Sequence, residues 1–173
     1  MVIVLGPPRC GKSSVAARFA EADARTLNTR ELEDALVERV RNGSWASGLL
    51  TAGSLVLDGP VWLSNRDGVV GLLSELLRAR VAAGRRTVVC QRDTDGSVSE
   101  LIGEMPLGSL VVIGLRFPVG QRGRIRFARR VCDDLGLPRE HATGAELLDP
   151  WGYDEVLAAI RNGRRPRGGG SGG

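Results

Sequence analysis

Short unbroken apolar runs alternate along this chain with longer stretches in which apolar residues recur every three or four positions. Runs of the first kind read as strands buried on both faces, and stretches of the second kind as helices that bury one side. Residues 1–5, 25–27, 54–57, 87–90 and 109–115 are therefore expected as strands, the last being the plainest buried strand of the five. Residues 13–22 carry Val15, Ala16, Phe19 and Ala20 at helical spacing. Next, Asn28 or Thr29 can cap a helix that presents Leu32, Ala35, Leu36 and Val40 on one face and stops at Asn42-Gly43. Further helices are expected over residues 69–83, closed by Gly84, and over a basic stretch at 121–135, closed by Gly136. Shorter ones are expected at 97–103, 145–148 and 153–161.

Strands that alternate with helices predict an α/β fold of three layers, with a mostly parallel five-stranded sheet and a small C-terminal helical appendage. A chain of 173 residues, 42% hydrophobic and 25% charged, can bury one such core without disulfides or metal. Aromatic residues make up only 4%, so that core has to be aliphatic. The expected organisation is a core over 1–137, a short helical appendage over 138–163, and a flexible basic and Gly/Ser-rich tail over 164–173.

Net charge is +4, part of it from Arg161, Arg164, Arg165 and Arg167, and nearly all cations are arginine. Charge alone does not choose between nucleic acid, nucleotide and an acidic protein partner. Cys10, Cys90 and Cys132 show no Cys-x-x-Cys spacing and His141 is the single histidine, which argues against a zinc site and for reduced thiols. The opening apolar run is too short for a signal peptide and no stretch reaches membrane-spanning length, so a cytoplasmic protein without a membrane partner is expected.

The chemistry concentrates in Gly6-Pro7-Pro8-Arg9-Cys10-Gly11-Lys12-Ser13, followed by Ser14. This keeps the Walker A spacing G-x-x-x-x-G-K-S, placed after an expected strand and before an expected helix, as a P-loop requires. Glycines let backbone N–H groups and the helix N-terminus face phosphate oxygens. Lys12 neutralises β- and γ-oxygens, and the Ser13 hydroxyl is offered to Mg²⁺. Side chains of Arg9 and Cys10 point away from the phosphates in such a loop and take no catalytic role. The expected ligands are ATP and Mg²⁺, with Asp58, at the end of a buried strand, as the second magnesium residue beside Ser13. Asp58 alternatively does no more than begin the Asp58-Gly59-Pro60 turn.

Beyond this loop, the order of segments over most of residues 1–137 resembles the AAA+ module of the DnaA family of replication initiators and related helicase loaders. The resemblance is carried by the segment from Leu27-Asn28-Thr29-Arg30-Glu31 to Asn42-Gly43, by Gly84-Arg85-Arg86-Thr87-Val88-Val89-Cys90 as the sensor-1 strand, and by Gly108-Ser109-Leu110-Val111-Val112 with Pro118 and Arg122 downstream. It implies a polar γ-phosphate sensor near Gln91 to Asp93. It also implies a second carboxylate after the Walker B aspartate, where this chain has Gly59, and an arginine finger where it has Glu104-Met105-Pro106-Leu107-Gly108. No sensor-2 arginine or DNA-binding domain is identifiable. What remains is a reduced ATP-binding module acting as a regulator, adaptor or loader, with weak or partner-dependent hydrolysis and a protein partner or second copy.

Two other classes stay open. Leu57-Asp58-Gly59-Pro60 also resembles the Asp-Gly turn of small P-loop kinases, where Arg122, Arg124, Arg126, Arg129 and Arg130 would serve a transferring phosphoryl group. The same arginines would serve a nucleotide switch that meets DNA or an acidic partner, or form an ordinary solvated face. Trp45, Trp62 and Trp151 read as packing residues, Trp62 being the one placed near a γ-phosphate. Strand order discriminates: an additional strand between the P-loop strand and the Asp58 strand fits the AAA+ reading, and direct neighbours fit a kinase.

Overall fold

The computed structural model describes residues 1–46, 48–59, 68–92, 108–148 and 151–162. The expected helix at 97–103, Trp62, Asp93, the stretch 104–107 and the tail from 163 lie outside the described residues. By their contacts the residues fall into two units, one of Met1–Pro8 with Lys12–Leu115 and one of Arg9–Gly11 with the chain from Arg116 onward.

The first unit is built on five parallel strands: β1 (Val2–Leu5), β2 (Arg25–Asn28), β3 (Ser54–Asp58), β4 (Arg86–Gln91) and β5 (Val111–Gly114). They lie in the order β2-β3-β4-β1-β5. Helices α1 (Lys12–Phe19), α2 (Thr29–Asn42) and α3 (Val69–Ala82) connect them. Side chains alternate across the pleat, so each strand feeds two cores. Ile3, Leu27, Leu55, Leu57 and Val89 meet Leu32 and Leu36 of α2 and Leu73, Leu76 and Leu77 of α3. The intervening residues Val4, Val56, Val88 and Cys90 form the other core with Ala16 of α1. The sheet is thus the middle layer of three, as the buried aliphatic runs predict.

β4 lies between β1 and β3, so the strand that leads into the phosphate loop and the strand that ends in Asp58 are not neighbours. That arrangement is the one named above for the AAA+ reading, and it corrects the kinase expectation. A second correction concerns β5. The apolar run at 109–115 was expected as the plainest buried strand, yet β5 is an edge strand paired to β1, with Val111 54% and Val112 46% exposed. A valine run has the same composition at an edge as in a sheet centre, and only the pairing tells them apart. Val40, expected on the buried face of α2, is 70% exposed. It lines a surface groove with Val37, Val69 and Leu72 instead.

Arg80, on α3, is fully buried although the helical pattern gives no sign of it. Its guanidinium donates to Thr87 Oγ1 (2.9 Å) and to the carbonyls of Leu49 (2.5 Å), Ala52 (3.1 Å) and Arg86 (2.8 Å). Burial, and secondarily the charge of Arg85, pushes its pKa below the ordinary arginine value. The fork thereby joins α3, the start of β4 and the loop before β3.

In the second unit, α4 (Gly120–Leu135) buries Ala128, Val131 and Cys132 against two short 3-10 turns, Arg139–Ala142 and Ala145–Leu147, and against α5 (Tyr153–Arg161). Phe127 meets the edges of Trp151 and Tyr153. Gly136, with φ of 65°, closes α4 in the left-handed conformation that glycine takes without a Cβ penalty. Arg122, Arg126, Arg129 and Arg130 are exposed on α4, while Arg124 lies over the Trp151 ring at 5.2 Å and donates to the Glu146 carbonyl.

Candidate phosphate-binding site

Parallel α/β sheets place their sites at the carboxyl ends of the strands. At that end of the first unit the chain runs from Leu5 of β1 through Gly6, Pro7 and Pro8, and resumes with Lys12 and Ser13 in the first turn of α1 and Ser14 just after. The Gly6 N–H donates to the carbonyl of Gln91 at 3.1 Å, which ties the loop's first residue to β4. Lys12 Nζ donates to the carbonyls of Gly6 (3.0 Å) and Pro7 (2.7 Å). The lysine is half-buried, as is Pro7, while Gly6 is buried.

Ser13 Oγ donates to Asp58 Oδ2 at 2.8 Å, across 45 residues of sequence. Alternation along β3 explains the meeting. Asp58 follows Val56 on the face that packs against α1, whereas Leu55 and Leu57 point to α2 and α3. A hydroxyl and a carboxylate are hard oxygen donors, the type that Mg²⁺ takes together with phosphate oxygens. These two residues therefore fit a magnesium ion held jointly with a triphosphate. Among the described residues no group of three or more His, Cys, Asp and Glu stands together.

The residue after Asp58 has its own structural logic. Gly59 sits at φ of 86°, its N–H donates to the Cys90 carbonyl (3.1 Å), and its carbonyl accepts from Thr29 Oγ1 (2.8 Å). A left-handed backbone held at both ends disfavours a side chain, so a carboxylate at this position would be strained. Asn28, rather than Thr29, caps α2. Its side chain accepts from the Glu31 N–H at 3.1 Å while Glu31 Oε2 accepts from the Asn28 N–H at 2.8 Å, a reciprocal capping box. Thr29 is thus released to hold Gly59. Sequence reading missed this tie, although Asn28 three residues before Glu31 was an available signal for which residue caps.

Gln91 ends β4, in register with Leu5, and is buried at 1% exposure. It lies at the level of Asp58, whose own neighbour on β4 is Cys90.

The remaining loop residues belong to the second unit. Arg9 adopts φ of 63° and Gly11 φ of 87°. The Arg9 carbonyl accepts from the Tyr153 N–H at 2.9 Å, its guanidinium pairs with Glu155, and Gly11 lies against the Tyr153 ring. No spacing rule links residues 9–11 to 152–155, so the sequence carried no signal for this contact. Cys10, Cys90 and Cys132 form no disulfide. No helix among the described residues is long and apolar enough to cross a membrane.

No protein-family model matches the sequence, and no curated protein matches it. Solved structures do. The replication initiator DnaA bound to AMPPCP and single-stranded DNA is similar at 13% identity and a TM-score of 0.59, over 93% of this chain and 54% of that one. Domain III of Thermotoga maritima DnaA is similar at 12% identity and a TM-score of 0.55, over 95% of this chain and 85% of that one. A variant of Thermotoga maritima RuvB is similar at 13% identity and a TM-score of 0.52, over 92% of this chain and 53% of that one. The chain thus spans about half the length of the longer DnaA and RuvB chains. At these identities the likeness concerns fold. This chain has the P-loop NTPase fold of DnaA-type AAA+ modules over most of its length.

Proposed function

We propose that this protein binds ATP with Mg²⁺ as a reduced DnaA-like AAA+ module, and acts as a regulator, adaptor or loader in an assembly rather than as a fast ATPase. The observation that carries the reading is the Ser13–Asp58 hydrogen bond at 2.8 Å beside Lys12, which joins the two sequence motifs of a triphosphate site on one face of the sheet. Lys12 would exchange its carbonyl acceptors for β- and γ-oxygens. Ser13 and Asp58 would hold the magnesium ion, which supplies neutralisation of phosphate charge. Backbone N–H groups from Gly6 through Ser14, with the α1 N-terminus, would take the remaining oxygens.

Slow turnover is supported by Gly59. The position next to Asp58 offers no group to polarise a water, and its left-handed backbone, held by Thr29 and Cys90, suits glycine. Gln91, at the end of the strand between β1 and β3, is the polar side chain suited to read a γ-phosphate. AMPPCP in the DnaA neighbour supports the nucleotide class. The single-stranded DNA in that same structure gives the exposed arginines of α4 a partner to test, a DNA strand or an acidic protein.

Calorimetric titration of the purified chain with ATP, with and without Mg²⁺, tests the binding half. Saturable binding that tightens with Mg²⁺ is expected, and absence of any ATP binding would remove the proposal. Single-turnover hydrolysis tests the other half. A rate well below about 1 per second, the low end of typical enzyme turnover, is expected for the isolated chain.

A further inference from the structure

Within the second unit the tip of the phosphate loop is gripped by the N-terminus of α5. Arg9 holds a left-handed backbone, φ of 63°, although it carries a Cβ. Such a conformation persists where neighbouring structure over-determines it, and three contacts do so. The Tyr153 N–H, in the first turn of α5, donates to the Arg9 carbonyl at 2.9 Å. The Arg9 guanidinium pairs with Glu155. Gly152 packs so closely that a Cβ there would stand 3.1 Å from Arg9 Cβ and 3.3 Å from the Arg9 carbonyl oxygen.

Gly11 is fixed by the same helix. At φ of 87° it is in glycine's region, and a Cβ on it would meet the Tyr153 ring at 2.8 Å from Cγ and 3.0 Å from Cδ2. The ring fills the place of the missing side chain. Glu155 gives one carboxylate oxygen to Arg9, while the other is buried with no hydrogen-bond partner.

We propose that Tyr153 and Glu155 are positioning residues of the triphosphate site, holding Arg9–Gly11 in the shape whose N–H groups face the phosphates. The proposal rests on the nucleotide-binding reading above. It adds that the site depends on a helix some 140 residues downstream of the loop, between Tyr153 and Arg161. Arg9 is committed to Glu155, so it acts by holding its own backbone and not by touching phosphate. Because the grip acts on the phosphate cradle, losing it weakens every ligand that presents the phosphate chain, whatever base is attached.

The test measures ATP and inorganic tripolyphosphate affinity, with Mg²⁺, together with thermal stability, for wild type, Lys12→Ala, Tyr153→Ala, Glu155→Gln and the charge-swapped Arg9→Glu/Glu155→Arg double variant. Expected is a loss of about tenfold for Tyr153→Ala and for Glu155→Gln, equal for ATP and tripolyphosphate, with recovery of most of the Glu155→Gln loss in the swap. Wild-type affinity in both single variants overturns the proposal. A loss that follows a fall in melting temperature and is not recovered by the swap also overturns it, in favour of a merely structural contact. If wild type binds neither ligand, or Lys12→Ala binds as wild type does, the nucleotide reading itself falls, which separates the two failures.

Discussion

Two cations in the first unit are held by carbonyl oxygens, and they do opposite things. At the carboxyl ends of the strands, Lys12 rests on the carbonyls of Gly6 and Pro7, half-buried. At the other end of the sheet, Arg80 is sealed from solvent and spends its fork on Thr87 Oγ1 and three carbonyls. The chemistry of the contacts is alike. The difference lies in burial: Lys12 is half-buried and, under the proposed function, would trade two loop carbonyls for phosphate oxygens, whereas Arg80 is fully buried. A buried charge left without its acceptors is costly, so Arg80 is an anchor of the fold, while Lys12 is the cation proposed for the phosphate site.

That contrast can be broken by experiment. The largest effect is expected from Arg80→Met, which leaves the carbonyls of Leu49, Ala52 and Arg86 without their donor and should cost about 3 kcal/mol or more in denaturant unfolding. A loss below about 1 kcal/mol would mean that the fork is replaceable by water and that the anchor role is wrong. Lys12→Ala comes next. ATP affinity should fall at least about a hundredfold, with a smaller unfolding loss than for Arg80→Met, because Lys12 is half-buried and leaves two carbonyls without a donor rather than three. A large stability loss there would erase the distinction.

Arg80→Lys sharpens the comparison by keeping charge while losing the planar fork. An ammonium has three donors at one point and cannot span Thr87, Leu49 and Ala52 together, so a loss of about 2 kcal/mol is expected. Asn28→Ala sets the scale of a local effect. Removing one side of the capping box should cost about 1 kcal/mol by thermal unfolding and leave ATP affinity within about twofold. A larger loss of affinity would show that α2 transmits its cap through Thr29 and Gly59 to the site.

Much of this was legible early because it depends on local pattern. The strand ending at Asp58, the helix over Tyr153–Arg161 and the glycine that stops α4 follow from apolar periodicity and cap chemistry within a few residues. The run at Val111 and Val112 was legible as a strand and illegible as an edge, since edge or centre is a property of neighbours. Arg80 gave no warning, because a helical arginine beside Leu76 and Leu77 looks like an ordinary end-of-helix cation until the carbonyls of a distant loop surround it.

Sequence by itself determined the spacing of the loop, Gly6 to Ser13 with its glycines, lysine and hydroxyl, and the alternation of strands and helices, because spacing of residue types is a one-dimensional property. Only the tertiary structure decided that β4 separates β1 from β3 and that Arg9 and Gly11 are held by Tyr153 and Glu155. Those are pairings between residues far apart in the chain. They are set by which hydrophobic faces close on one another, and composition and periodicity leave that choice open.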